Sequence, residues 1–313
     1  MTIVRSSVSV LIPVYNRQDL IGPCIQSALD QTLSPFEVVV VDNASTDATW
    51  EVCQSFAQRD ERVRIFRNEC NVGPVRNWKR CIDEACGTYG KILFSDDLIY
   101  PTFLEKTLRY LVDPRVGLVF TAAEIGSEIG QAVISYDGAG IPPVFPAAEF
   151  IRDSLLNASV FSPGNALFRL TDLKKNLMIV IPSPSINDFP DHGAGPDLLL
   201  FLLTARLYPR VAHITEPLCL FRSHPNSITI SSNRWYLYRR QQQARIWFAT
   251  TYESDKILAT LLAAMWLAEC KNEKRFLLPA MCVRRYTTRR VWSWQAVLKM
   301  FWRRLDNRLS RSK

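Results

Sequence analysis

The chain has 313 residues, 48% of them hydrophobic and 22% charged, with 38 Lys or Arg against 30 Asp or Glu. That length suits one large domain with an appendage, and the composition excludes disordered, fibrous and repeat classes. The net charge of +8 resides in residues 271–313, where thirteen bases meet two acids; the rest is slightly acidic. This distribution argues against a general nucleic-acid binder and for a local anionic contact.

From the N-terminus, Val8–Val14 is an apolar, β-branched run that reads as a buried strand, since Pro13 and the polar Asn16-Arg17 spoil it as a secretory segment. Leu20–Asp30 carries apolar residues at helical spacing. Four consecutive valines, Val38–Val41, mark a second strand after the break at Pro35. Ser45-Thr46-Asp47 offers capping side chains for a helix through Gln58. Val63–Arg67 is a short third strand, Asn71–Ala85 a helix ended by Gly87, and Lys91–Ser95 a fourth strand. Alternating apolar strands and helices predict a Rossmann-like α/β domain whose mostly parallel sheet is covered on both faces.

Beyond residue 115 the pattern loosens. Val116–Thr121 reads as a strand, 127–146 as a Gly- and Pro-rich loop, and Leu167–Arg169 as a strand end. Residues 182–196 form a second long Pro/Gly-rich stretch, of the kind that in a compact domain is functional or mobile. Asp197–Leu207 returns to a helical apolar face, Val211–Phe221 reads as a strand, and everything from Trp235 looks helical. The expected division is a nucleotide-binding domain over 1–230 and a basic helical region over 231–313. Eight cysteines stand singly with no C-x-x-C pair, which reads as reduced thiols. The longest apolar stretch, 257–268, is far short of the ~20 residues that span a bilayer, so a cytoplasmic protein is expected.

In open α/β sheets, ligands bind beyond the carboxyl ends of the strands. Here those ends are followed by Tyr15-Asn16, by Asp42 to Asp47, and by Asp96-Asp97. Adjacent carboxylates repel unless a cation offsets them, and hard ions such as Mg²⁺ or Mn²⁺ bridge carboxylates to a diphosphate. Neither G-x-x-x-x-G-K-S/T nor G-x-G-x-x-G occurs in the chain, so a metal-based phosphate site is the expected alternative.

Five segments in order, SVLIPVYN (9–16), VVVDNASTD (39–47), NVGPVRN (71–77), ACGTYGKILFSDD (85–97) and LFRSHPNS (220–227), resemble the signature blocks of the family 2 glycosyltransferases. That resemblance implies a GT-A fold and transfer of a sugar, with inversion, from a nucleotide-sugar donor. Pro13, Tyr15 and Asn16 would line the nucleotide pocket. Asp42 would accept a hydrogen bond from the base (uracil in many members), and Arg76 would face the nucleotide. Asp96 would lie near the ribose, with Asp97 and His224 on the metal. The base that takes the acceptor proton is expected to open a helix after a flexible stretch, often within a Glu-Asp pair. Asp197 does so, although Gly195-Pro196 stands where an acid often precedes it. Asp191 and Asp188 are rivals, and a plain helix cap is the neutral reading of Asp197. Phe94 also departs from the pattern, standing where many relatives carry another Asp.

The tail completes the sequence reading. Trp294, Val297, Leu298, Phe301, Trp302, Leu305 and Leu309 share one helical face of 291–309, with Lys299, Arg303, Arg304 and Arg308 largely opposite. Such a helix suits the headgroup region of an anionic membrane, with packing on the domain as the alternative. The function expected is therefore a metal-dependent inverting glycosyltransferase with a UDP-sugar favoured. Its acceptor would be a glycan, lipid-linked, in surface-polysaccharide or O-antigen assembly. A sugar-nucleotide pyrophosphorylase and a non-catalytic binding module are the alternatives.

Overall fold

The computed structural model describes residues 8–33, 37–127, 133–135, 142–157, 162–182, 189–224, 227 and 233–300. Asp188 and residues 301–309 of the expected amphipathic helix lie outside this set.

The first strand, β1 (Val8–Val14), is buried throughout. Its side chains alternate between two cores: Val8, Val10, Ile12 and Val14 face one, and Leu11 the other. A continuous apolar run is what a strand covered on both sides requires. Parallel neighbours flank β1: β2 (Glu37–Asp42) with Val14 opposite Asp42, and β4 (Tyr89–Ile92) with Leu11 opposite Ile92. Outside β2 lies β3 (Val63–Arg67), also parallel. These four strands, with α1 (Ile21–Leu29), α2 (Thr49–Arg59) and α3 (Pro74–Glu84) as crossovers, form the doubly covered half expected from sequence.

The other half is mixed. It contains β5 (Leu98–Ile99), β6 (Val116–Gly126), β7 (Val133–Ser135), β8 (Val144–Pro146), β9 (Ala166–Arg169) and β10 (Arg210–Arg222). The main path runs β3-β2-β1-β4-β9-β6-β10-β5, with β7 on β6 and β8 on β10. Strand β9 enters antiparallel between β4 and β6, whereas β10 runs parallel to β6 with register shifts near Pro217. The sheet is parallel across β1 to β4, and its reversals are confined to the other half.

Helices α4 (Phe103–Leu111), α5 (Ala147–Leu156), α6 (Leu170–Asn176) and α7 (Pro196–Ala205) complete the sandwich. Three more follow: α8 (Arg234–Tyr252), α9 (Asp255–Glu273) and α10 (Pro279–Tyr286), with a further helical stretch at 294–300. The helical extension is therefore present, but it does not own a separate core. Ala244, Phe248, Leu262 and Met265 belong to the same apolar cluster as Phe168, Leu199 and Phe201. Each fully buried Leu, Met or Phe among these contributes roughly 1.5–3 kcal/mol of burial free energy. Pro196 at the first turn fixes the entry of α7, whose residues 198–202 are all buried; a helix apolar all round is one enclosed on every side.

Candidate active site

The loops after β1 and β2 are tied into one rim. Asn16, with φ of 50°, donates its N–H to Ser45 Oγ at 2.9 Å and accepts the Thr46 N–H on Oδ1 at 2.9 Å. Pro13 is buried within β1 opposite Val41, while Tyr15 stands exposed on the rim. Asp42 is fully buried at the end of β2, where both carboxylate oxygens accept the Ser45 N–H at 3.2 Å. Arg67, at the end of β3, places Nε 3.0 Å from the Asp42 carboxylate. The same arginine donates to the Ser45 carbonyl at 2.8 Å and lies over the Trp50 ring. Arg67, which the sequence reading did not single out, is thus the exposed partner of a buried acid.

The 71–77 block is held by asparagines. Asn43 accepts from Asn68 and from the Val72 N–H, and donates to Asn71 at 2.8 Å; Asn77 donates to the Val41 carbonyl at 3.0 Å. This fixes the start of α3, and with it Arg76, whose guanidinium lies 3.5 Å from Asp191. Cys70, Asn71, Gly73, Arg76 and Asp191 line a cleft of about 550 Å³. Asp191 is therefore occupied as the partner of Arg76 and is itself exposed.

The adjacent acids after β4 diverge. Asp96 Oδ2 lies 3.0 Å from His224 Nε2 and 3.9 Å from Arg17 Nε. Asp97 turns inward: its N–H bonds the Phe94 carbonyl, and its buried Oδ1 accepts the Arg222 N–H at 3.0 Å. Burial, with Asp96 adding like charge, holds the Asp97 carboxyl well above the usual carboxylate range. Arg222 clamps the turn, donating to the carbonyl of Asp96 and, at 2.9 Å, to that of Leu20. Beneath it, the fully buried Lys91 donates to the Gly164 carbonyl and lies over the Phe103 ring; burial lowers its ammonium to about 8. The expectation that Asp97 joins His224 thus meets a different geometry: the carboxylate beside the imidazole is that of Asp96, because the turn directs successive side chains to opposite sides.

Among the described residues no three His, Cys, Asp or Glu converge as a metal cage. Asp96 and His224 nevertheless offer one carboxylate oxygen and one imidazole nitrogen. That pair fits an ion completed by diphosphate oxygens and water, which is how Mg²⁺ and Mn²⁺ are held at phosphate sites.

Asp197 opens α7. Its Oδ1 accepts the N–H groups of Gly195 at 2.8 Å and Leu198 at 2.6 Å. The residue keeps some exposed surface, yet its carboxyl group is crowded, and desolvation lifts it to about 7 despite those donors and the Arg245 charge. The Asp197 N–H bonds the Gly193 carbonyl at 3.1 Å, and Gly193 lies flat against Trp78, where an added Cβ would stand 2.7 Å from the ring. Trp78 in turn packs on Phe94 at 5.2 Å between centroids. The apolar Phe94 is thus a link in the wall joining the Asp197 loop to the Asp96 turn. His192 and Tyr236 close the same side with rings 5.6 Å apart, a contribution from α8 that sequence spacing did not reveal.

A family model described as "Glycosyl transferase family 2" matches residues 9–177. The putative teichuronic acid biosynthesis glycosyltransferase TuaG of Bacillus subtilis is 28% identical over 259 residues, 80% of this chain and 94% of that protein. The putative glycosyltransferase EpsH of the same organism is 34% identical over 228 residues, 71% of this chain and 62% of its own length. Among solved structures, S. aureus TarS in complex with UDP-GlcNAc aligns with a TM-score of 0.64 at 18% identity, over 85% of this chain and 74% of that one. That likeness shows a shared GT-A fold, and together with the family match over more than half of the sequence it places the chain in glycosyl transferase family 2.

Proposed function

We propose that this glycosyltransferase moves a sugar from a nucleotide-sugar donor, with a UDP-sugar favoured, to a hydroxyl of a glycan acceptor, and inverts the anomeric centre. The observation that carries the reading is the pairing of Asp96 with His224 at 3.0 Å on the same rim as the Asn16–Ser45–Asp42 cluster. Mn²⁺ or Mg²⁺ held between Asp96 and His224 would supply charge neutralisation for the departing diphosphate. Tyr15, Asn16, Asp42 with Arg67, and Arg76 bind and orient the nucleotide. Asp197, poised near neutrality, takes the proton from the acceptor hydroxyl as its oxygen bonds the anomeric carbon and the nucleoside diphosphate leaves. The similar structure of TarS holds UDP-GlcNAc, and TuaG is named for teichuronic acid biosynthesis. The first supports a UDP-sugar donor and the second a surface-polysaccharide product. A lipid-linked acceptor would be met at the cytoplasmic face of an anionic membrane, through peripheral contact by the C-terminal helices. No helix among the described residues is long and apolar enough to cross a membrane.

The test is nucleotide release from UDP-, GDP- and dTDP-sugars with Mn²⁺ or EDTA, for the wild type and Asp96→Ala, with donor binding measured by calorimetry. Metal-dependent turnover of one donor, abolished by EDTA and by the substitution, is expected. Absence of binding to every donor overturns the reading.

A further inference from the structure

The exposed large apolar residues of the described chain are not scattered evenly. Phe276 (68% exposed), Leu278 (62%), Met281 (53%), Trp294 (53%) and Leu298 (58%) all belong to the C-terminal segment. They also share one locality. Trp266 on α9 makes edge contacts with Phe276 at 5.5 Å, Trp292 at 5.6 Å and Trp294 at 5.8 Å, and its Nε1–H bonds the Leu277 carbonyl at 2.7 Å. Phe276, Trp292 and Trp294 therefore ring one tryptophan, and Leu278 follows the residue whose carbonyl it bonds. Leu298 follows Trp294 by one helical turn, and Met281 lies in the first turn of α10.

The helical stretch 294–300 does not present the single apolar face that its sequence suggests. Val297 is buried, and Ala296 and Met300 pack on the main core, while Trp294 and Leu298 face solvent. The inward residues satisfy the packing reading of this segment, and the outward ones are left to be explained. Soluble proteins rarely leave contiguous apolar patches of aromatic and aliphatic side chains without a partner.

The charge around the patch selects that partner. Lys271, Lys274, Arg275, Arg284, Arg290 and Lys299 are exposed within the same segment. The acid nearest in sequence, Glu273, pairs with Arg275 at 2.8 Å. Residues 271–313 carry thirteen bases against two acids in a chain whose remainder is slightly acidic. Tryptophan and phenylalanine beside a basic rim match the boundary between lipid headgroups and acyl chains, whereas a folded protein partner would need no such one-sided charge.

We propose that the composite surface formed by Phe276, Leu278, Met281, Trp294 and Leu298, with its Lys/Arg rim, seats the enzyme on an anionic lipid bilayer. This deepens, and rests on, the peripheral placement proposed above. It differs in assigning the contact to the junction of α9, α10 and the 294–300 turn and not to one continuous helical face.

The experiment is co-sedimentation of the full chain with vesicles of phosphatidylcholine alone and of phosphatidylcholine with phosphatidylglycerol. The wild type should partition to the anionic vesicles and remain in solution with the neutral ones. The triple variant Phe276→Ser, Leu278→Ser, Trp294→Ser should bind at least about tenfold more weakly, because interfacial binding scales with the apolar area inserted. Arg284→Glu with Arg290→Glu should remove the preference for phosphatidylglycerol. Thermal melting and donor binding in vesicle-free buffer should match the wild type in both variants, which separates loss of docking from loss of fold. Wild-type protein that ignores anionic vesicles overturns the proposal. So does a folded triple variant that sediments like the wild type. Vesicle binding without binding of any nucleotide-sugar would overturn the donor reading and leave the docking surface standing.

Discussion

Asp197 is subject to opposing influences: crowding disfavours its charge, and two backbone N–H donors with the Arg245 charge favour it. Crowding wins, so the carboxyl titrates at about 7. Only the ionised form can accept a proton, so donor-to-acceptor transfer should fall as pH drops through 7. Asp197→Asn should lose at least about a hundredfold in kcat at every pH. A variant with wild-type turnover would remove Asp197 from the mechanism. The stability sign is opposite. A carboxyl raised by folding favours the neutral form, so the wild type should lose stability as pH rises from the ordinary carboxylate range through 7. The Asn variant should lose less in melting experiments over that window. The place of Asp197 at the start of α7 was legible in sequence because a carboxylate opening an apolar helix is a local signal. That Asp96 and not Asp97 faces His224 was not, since it depends on a turn closed by Arg222 from a strand more than a hundred residues away. Calorimetric titration of Mn²⁺ with a nucleoside diphosphate separates the two. Asp96→Ala and His224→Ala should weaken binding by at least the roughly 10–100-fold that loss of an outer-shell partner costs, while Asp97→Asn keeps its bond from the Arg222 N–H and should weaken it less.

The α7 entry shows how an element positions one group. Gly195 adopts φ of 105°, and a Cβ there would stand 2.9 Å from the Phe189 ring and 3.3 Å from the Arg240 carbonyl. The same residue gives Asp197 one of its N–H donors. Gly195→Ala should therefore cost about 1–3 kcal/mol of stability from backbone strain and affect kcat more than the donor KM, since Tyr15, Asn16 and Asp42 of the proposed nucleotide rim lie on other loops. Equal melting temperature and kcat in the variant would contradict this account. Elements defined by their own composition were readable: β1, β2 and β3 are short valine- or isoleucine-rich runs bounded by polar residues. Helices α5 and α6 were not, although α5 buries Ala147, Phe150, Ile151 and Leu155 at helical spacing. Their surroundings are rich in Gly and Pro, and that local composition masked a periodic signal ten residues or fewer in length. The antiparallel β9 depends on long-range pairing with β4 and β6, which no local pattern encodes.

At the scale of the molecule, the expected boundary near residue 230 follows the change from strands to helices but not the packing. Helix α8 delivers Tyr236 against His192 and buries Arg245 beneath the Asp197 loop, where its Nε–H bonds the Ser154 carbonyl at 2.9 Å. A cation from the C-terminal helices thus helps set the titration of Asp197 at the start of α7. The charge of Arg245 lowers the Asp197 carboxyl, so its removal must let burial act unopposed and move that carboxyl upward. In Arg245→Met the acidic limb of the pH–rate profile should shift to higher pH, with transfer at pH 7 reduced and partly recovered in more alkaline buffer. Arg245→Lys retains a positive charge in the same enclosure and should keep the limb near the wild-type position. Loss of the bond to Ser154 would lower stability in the Met variant, but lower stability alone reduces activity at all pH values and leaves the limb in place. A limb unmoved in a folded Arg245→Met enzyme would show that the helical region supports the base by packing only. A displaced limb would mean that the chemistry and the C-terminal helices form one electrostatic unit, which a division into catalytic domain and appendage does not describe.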